Sequence, residues 1–326
     1  ARSSRYDAGR NTYVAWGANS DGSGCVRKEG DRIVMAEIDG PGCIWRIWSA
    51  RASRGHVRIF LDGAAEPAID LPFSGYFSGR TPPFTRKSLV YTAAAGRNNY
   101  TPIPFRKSCR IVAEPGWGRY YHFTYSTFPG GATVPTFDRN LSAEAEQALD
   151  EADRILRHRG ARPRPPHEEE RTKTCAVTLT AGQTATVAQL DGPAALTALR
   201  LRLTVPADFQ RALTLMRAVT LRIYWDDNDT PAVWSPLGDF FGTAPGANIF
   251  RSLPTGLTKD GTWYSYWYMP FAAGARIVLH SDAANPLSLQ FDISHAPLER
   301  PIAELGRFHA KWHRDDQIQV LDLGAD

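Results

Sequence analysis

The feature that most constrains this chain is an internal duplication. Asp39-Gly40-Pro41 returns as Asp191-Gly192-Pro193, 152 positions later, and a strand-like run follows each copy, CIWRIWSA and ALTALRLRL. HVRIFLDGAAEPAIDLPFSGYFSG (56–79) matches TLRIYWDDNDTPAVWSPLGDFFG (220–242), with Asp62, Pro67, Pro72 and Phe77 facing Asp226, Pro231, Pro236 and Phe241 at offset 164. PIPFRKSCRIV (102–112) then matches YMPFAAGARIV (268–278) at offset 166. Offsets that grow by 12 and then by 2 mean one ancestral unit with insertions in its loops.

Each unit reads as strands. VRIFL, TLRIYW, RIVLH and SLQFDIS alternate or are rich in β-branched and aromatic residues, and turn-formers such as DGAAEP and DDNDTP separate them. Gly 27 and Pro 23 make up about 15% of the chain, against a usual ~12%, which excludes a bundle of long helices. Many short strands with long loops predict a mainly β fold of two tandem jelly-roll (β-sandwich) domains, with an up-and-down barrel as the alternative. One clear helix, LSAEAEQALDEADRILRHRG (141–160), separates the copies, with Ser142 as its cap and Ala145, Leu149, Ala152 and Leu156 as its apolar stripe. The Pro-rich RPRPPHEEER after it reads as a stiff linker. The expected division is a first jelly roll over 1–140, helix and linker over 141–172, a second jelly roll over 173–300 and a C-terminal segment over 301–326.

Charge and cysteine content limit the partners. A net charge of +4 on 326 residues, spread without a Lys/Arg block, argues against nucleic acid, and no apolar run approaches the ~18 residues of a membrane span. Cys25, Cys43, Cys109 and Cys175 show neither CxxC nor zinc spacing and read as buried thiols. The opening ARSSRYDAGR has no signal-like apolar core, consistent with a cytoplasmic protein or one exported and trimmed.

Chemistry is harder to find. There is no G-x-S-x-G elbow, and no strand-to-helix switch follows the Gly-rich GANSDGSG (17–24). His309 and His313 fall at i, i+4 and would share a face only in a helix; the plainer expectation is one packed and one exposed histidine. No metal is expected, and DDND (226–229) lacks the scaffold of a calcium loop. Acid–base candidates are Asp7, Asp39, Asp62, Asp70, Asp191, Asp226, Asp227 and Asp239, most of them beside Gly or Pro, where Asp caps a turn. The segment RSSRYDAGRN differs: two Arg, an acid, an amide and an aromatic suit sugar hydroxyls, and equally suit a well-satisfied N-terminal strand. The clusters Trp45/Trp48 and Trp263/Tyr264/Tyr266/Trp267/Tyr268 are split by strand alternation between core and surface.

RSSRYDAGRN, the Asp-Gly-Pro-Gly strand at 39–42, GRNNYTPIPFRKS (96–108), RIYWDDNDTPAVWSPLGDFFG (222–242) and GRFHAKWHRD (306–315) together resemble family-172 glycoside hydrolases, formerly called domain of unknown function 2961. The resemblance implies jelly-roll domains assembled into trimers or hexamers. It also implies retaining exo-type activity on fructofuranosides or D-arabinofuranosides, with no cofactor. Ser3, Ser4, Tyr6, Asp7 and Asn11 match the family's opening, with Arg5 inserted; Asn98, Tyr100, Pro102, Pro104 and Phe105 match its Asn-x-Tyr-x-Pro-x-Pro-Phe loop. The second copy has YSYWYMPF there but keeps Leu-Gly-Asp-Phe-Phe-Gly at 237–242. The family's catalytic glutamates lie in motifs that do not occur in this sequence, which ends LDLGAD. A longer chain or a companion chain would have to carry them.

The expected function is therefore a furanoside-directed glycosidase acting on an oligo- or polysaccharide by double displacement. Arg5, Asp7, Asn11, Trp48, Asn98 and Tyr100 would line its sugar pocket: Asp7 accepting from hydroxyls, Arg5 and Asn98 donating, Trp48 supplying the apolar face. The competing expectation is a non-catalytic double-jelly-roll subunit that binds carbohydrate or builds an assembly.

Overall fold

In this computed structural model the described residues are 5–7, 9–10, 12–14 and 24–313. The chain divides into two compact units, Ala1–Arg157 and His158–Asp326.

The first unit opens on a hairpin, β1 (Arg5–Asp7) with β2 (Thr12–Val14). Ten strands follow: β3 (Arg27–Glu29), β4 (Arg32–Asp39), β5 (Gly42–Ala52), β6 (His56–Leu61), β7 (Ile69–Pro72), β8 (Val90–Ala93), β9 (Gly96–Asn99), β10 (Ile103–Phe105), β11 (Ser108–Ala113) and β12 (Gly118–Thr127). They form two sheets. One runs β3-β4-β11-β6-β7, and in the other β5 is flanked by β12, β10 and the β9-β8 pair. The chain crosses between the sheets at β4→β5, β5→β6, β7→β8 and β10→β11→β12, so only β3-β4, β6-β7 and β8-β9 pair strands that are consecutive in sequence. That is jelly-roll order and excludes the up-and-down barrel. Alternation along β6 (HVRIFL) puts Val57, Ile59 and Leu61 inside, where they meet Ile44, Ile47, Phe73, Tyr76, Phe84 and Phe105. Tyr76 is fully buried because its hydroxyl donates to the Val57 carbonyl at 2.7 Å.

The helix forms as the sequence implies: α1 spans Ala143–Arg157, and the Ser142 hydroxyl accepts from the Ala145 amide at 3.2 Å. Leu149 packs into the first core, and the buried Asp153 accepts from the Ser88 amide at 2.7 Å while pairing with Arg157.

The second unit repeats the plan with β13 (Arg171–Leu179), β14 (Gln183–Asp191), β15 (Ala194–Leu203), β16 (Val219–Trp225), β17 (Val233–Pro236), β18 (Phe250–Arg251), β19 (Thr255–Leu257), β20 (Thr262–Ser265), β21 (Met269–Phe271), β22 (Gly274–Ser281), β23 (Leu287–Ala296) and β24 (Ala310–Lys311). Its sheets run β13-β23-β15-β20-β19-β18 and β14-β22-β16-β17-β24, around a core that includes Leu199, Ile223, Trp263, Phe271 and Phe291.

The duplication is visible atom by atom. Gly40-Pro41 and Gly192-Pro193 are both cis. Asp62 and Asp226 both sit at positive φ, 57° and 56°, and each turns one carboxylate oxygen onto three consecutive amides. For Asp62 these belong to Arg106, Lys107 and Ser108 (2.8, 2.6 and 3.3 Å); for Asp226, to Ala272, Ala273 and Gly274 (2.6, 2.7 and 3.4 Å). The step of 12 in the repeat offset also has a location. Between β5 and β6 the connection is residues 53–55, whereas between β15 and β16 it is 204–218 and holds α2 (Phe209–Ala218). The sequence pattern marks 141–160 as the one clear helix, and α2 goes beyond that expectation. The Asp208 carboxylate caps it by accepting from the Arg211 amide at 2.9 Å, and Ala212 and Met216 bury one face.

Candidate functional site

The sheet carrying β5 gathers three of the predicted residues on one face of the first sandwich. Trp48 on β5 lies in register with Asn98 on β9 and with His122 on β12. Gly96 permits this, because a Cβ there would stand 2.5 Å from the Trp48 indole nitrogen. Asn98 is buried at 5% exposure; its amide donates to the Gly96 carbonyl at 3.1 Å. Tyr100 follows β9 and stacks on Tyr91, with ring centres 6.1 Å apart.

The residue that organises these side chains is Arg46, which the sequence reading did not single out. Its Nε and Nη2 both donate to Asn98 Oδ1, at 3.1 and 2.7 Å. Its guanidinium carbon lies 5.5 Å from the Tyr100 ring centre and 6.0 Å from that of Trp48. His122 stacks on Trp48, with ring centres 5.0 Å apart. Chiefly partial desolvation, with a smaller contribution from the positive charge of Arg46, holds the His122 imidazole below its ordinary pKa. The result is an aromatic and guanidinium platform with a fixed amide at its centre. A sequence signal existed: Arg46 and Trp48 are two apart on one strand, so they share a face. A cavity of about 650 Å³ adjoins the ends of these strands, lined by Arg51, Arg97 and Arg119.

Arg5 and Asp7 belong to β1, with Arg5 opposite Val14 and Asp7 opposite Thr12, but their side chains and the whole of Asn11 lie outside the described residues.

Four of the other acid–base candidates, Asp62, Asp70, Asp226 and Asp239, are held by bonds within the fold. Burial works to raise the Asp62 pKa, but the Thr136 hydroxyl and the amides of Lys107, Ser108 and Arg106 outweigh it and hold the carboxyl low. Burial is similarly overcome at Asp226 by the Ala273 amide, Arg307 and the amides of Ala272 and Gly274. Asp70 accepts from Arg58 Nε at 2.8 Å and lies 2.6 Å from His56 Nδ1, and Asp239 pairs with Arg217 at 3.3 Å. Every described carboxyl with a displaced pKa is displaced downward, the reverse of what a general acid needs.

His309 and His313 are both exposed, on an extended segment rather than a helix, which corrects the expectation of one packed histidine. That segment pairs in parallel with β17, where β24 lies, and is pinned by Arg307 on Asp226 (2.9 Å) and by Trp225 Nε1 donating to the Phe308 carbonyl (2.8 Å). Among the described residues no group of three His, Cys, Asp or Glu could hold a metal ion. Cys43 and Cys109 are buried free thiols, whereas Cys25 and Cys175 are half-exposed. The aromatic clusters divide between core and surface: Trp263 joins the second core, Tyr264 is buried on the opposite face and stacks on the half-buried Tyr266 with ring centres 4.8 Å apart, Tyr268 is half-buried, and Trp45 and Trp267 are exposed.

Comparison with known proteins bears on this arrangement. No curated protein sequence matches the chain. Among solved structures, the major capsid protein P2 of bacteriophage PM2 is 10% identical over 82% of this chain and 92% of its own, with a TM-score of 0.22. The VP2 subviral particle of infectious bursal disease virus is 10% identical over 81% and 56%, with a TM-score of 0.24. The Aeromonas hydrophila PliG inhibitor of g-type lysozyme is 11% identical over 41% and 92%, with a TM-score of 0.22. Scores this low carry no argument, and the fold rests on the strand order. Family models are decisive: the GH172 first β-sandwich domain matches residues 1–145, and the GH172 domain-like model matches 169–293. Two sandwiches of one origin, each matched by a model of the same family, place this chain in glycoside hydrolase family 172.

Proposed function

We propose that the chain supplies the sugar-binding platform of a furanoside-cleaving glycosidase. The observation that carries this reading is the Arg46-centred cluster. Trp48 and Tyr100 offer apolar faces to a sugar ring, and Arg46 and Asn98 offer fixed donors beside them. Arg5, Asp7 and Asn11 complete the polar rim in this proposal. The substrate class, a fructofuranoside or D-arabinofuranoside of an oligo- or polysaccharide, follows from the family resemblance, as does a homo-oligomeric assembly. Retaining hydrolysis needs two carboxyl groups ~5 Å apart, one protonated at working pH. The glutamates that act as nucleophile and acid/base come, on this reading, from outside the described residues, in a longer or a companion chain.

A second reading, a saccharide-binding subunit without turnover, is favoured by the absence of any upward-displaced carboxyl among the described residues. Titration of the 326-residue chain with methyl D-arabinofuranoside and a fructofuranosyl disaccharide, alongside hydrolysis of an aryl furanoside, separates the two. Binding weakened at least about tenfold by Trp48→Ala or Arg46→Ala is expected. Affinity unchanged by both substitutions overturns the platform, and turnover by the chain alone overturns the assignment of the glutamates elsewhere.

A further inference from the structure

The second sandwich carries a hollow of about 420 Å³ that the reading above leaves unused. One of its lining residues is the counterpart of a member of the Arg46 platform. Tyr266 stands at the position of Tyr100, offset 166, and Arg200 at that of Trp48, offset 152. The pairing of cation and ring persists with its members exchanged: Arg200 donates to the Tyr266 hydroxyl at 3.2 Å, its guanidinium carbon 5.8 Å from the ring centre.

This copy adds what the first lacks, a polar floor. Arg162 clasps Glu170 through two bonds of 2.6 Å, and the Thr197 hydroxyl donates to the same carboxylate at 2.6 Å. Arg162 and Glu170 are only 19% and 9% exposed. Taking both charges out of water costs several kcal/mol, and replacing such a pair by apolar residues is often neutral or stabilising. Here it lines a concavity that Tyr266 and Tyr268 wall on one side, and the Glu299 amide fixes the Tyr268 hydroxyl at 3.2 Å.

We propose that this hollow is a second saccharide site, selective for a vicinal diol. A bidentate carboxylate–guanidinium pair leaves an acceptor lone pair on Glu170 Oε1 beside unused Arg162 N–H donors, the pattern that two neighbouring hydroxyls satisfy together. The tyrosine rings cover the sugar's C–H face. The site's ligand class rests on the sugar-binding reading of the first sandwich, while its geometry does not.

The test is an NMR titration of the full 326-residue chain with methyl D-arabinofuranoside and with its 2-deoxy analogue, following ring signals of Trp48 and of Tyr266 separately. Both sets should shift and saturate. Tyr266→Ala should weaken only the second event, and the 2-deoxy analogue should bind there about tenfold more weakly. Glu170→Gln should act like Tyr266→Ala; if it unfolds the domain, Tyr266→Ala and Tyr268→Ala still decide. Tyr266 signals that stay still while Trp48 saturates overturn the second site and leave the platform standing. Movement at Tyr266 alone does the reverse, and stillness at both removes both sites.

Discussion

Replacing Asp226 by Ala tests whether the duplicated aspartates are clamps rather than catalytic acids. Three things are lost. The first is a carboxylate oxygen that accepts from the amides of Ala272, Ala273 and Gly274 at 2.6, 2.7 and 3.4 Å. Hydrogen bonds to a charged group contribute about 1.5–3 kcal/mol each and do not add, so this clamp is worth about 3 kcal/mol. The second is the pair with Arg307 at 2.9 Å, partly exposed and worth under about 1 kcal/mol. The third is tolerance of φ 56°, which Asp accepts more readily than Ala, at a cost of about 1 kcal/mol. Asp226→Ala should therefore destabilise the second unit by about 4 kcal/mol, a fall of ~2 M in urea midpoint if m is ~2 kcal/mol/M. Asp226→Asn keeps an acceptor and the backbone tolerance and should cost less than half as much. Because the native Asp226 pKa is depressed, the advantage of the charged form is fully present above the unfolded value near ~3.9 and is lost as pH falls through the native value. Urea titrations from neutral pH down to acid, with hydrogen exchange at the amides of 272–274, measure all of this. A cost below about 1 kcal/mol for Asp226→Ala, or equal costs for Asn and Ala, would refute the clamp.

Two further outcomes follow from burial and charge. Burial pushes the Cys43 thiol up to about 11 and the Cys109 thiol up to about 12, so a disulfide reagent at mild alkaline pH should label Cys25 and Cys175 quickly and the other two only in denaturant; fast labelling of all four would contradict the packing. His122, held low by desolvation and by Arg46, keeps its imidazole neutral while the unfolded chain takes up a proton, so stability should rise with pH between its native pKa and ~6.5. Arg46→Ala should raise the His122 pKa in an NMR titration, and a fall would exclude Arg46 as its neighbour.

The two helices show what periodicity can and cannot deliver. α1 was legible because a cap, an acidic first turn and an apolar stripe coincide over four turns. α2 has the same grammar in miniature, Asp208 as cap and Ala212 with Met216 one turn apart, but ten residues between strong strands give a periodic signal too short to stand out. The repeat marks only an insertion there, its offset growing by 12 where the connection 204–218 replaces 53–55, and says nothing of its being helical. The aspartates were legible as turn residues, yet their partners were not. The amides they clamp lie 44 to 48 positions away, and only the folded register brings them together.

The sites follow the same division between local and non-local information. Asn98 and Tyr100 could be picked out because they stand in a recognisable loop, and Trp48 because an aromatic on a strand draws notice. Arg46 has no such mark. Its role exists only because β5 and β9 lie side by side, so that one guanidinium reaches the Asn98 oxygen and two rings at once. The same holds in the second sandwich, where Arg162 and Glu170 belong to a stretch whose prolines read as a spacer. A spacer has no reason to desolvate a charge pair, and these two side chains are among the less exposed ion pairs of the described residues. Duplication then gives the two faces a common origin and lets them diverge: one holds Trp48 and Asn98 around Arg46, while the other has Arg200 and Tyr264 at the positions of Trp48 and Asn98, with Arg200 donating to Tyr266.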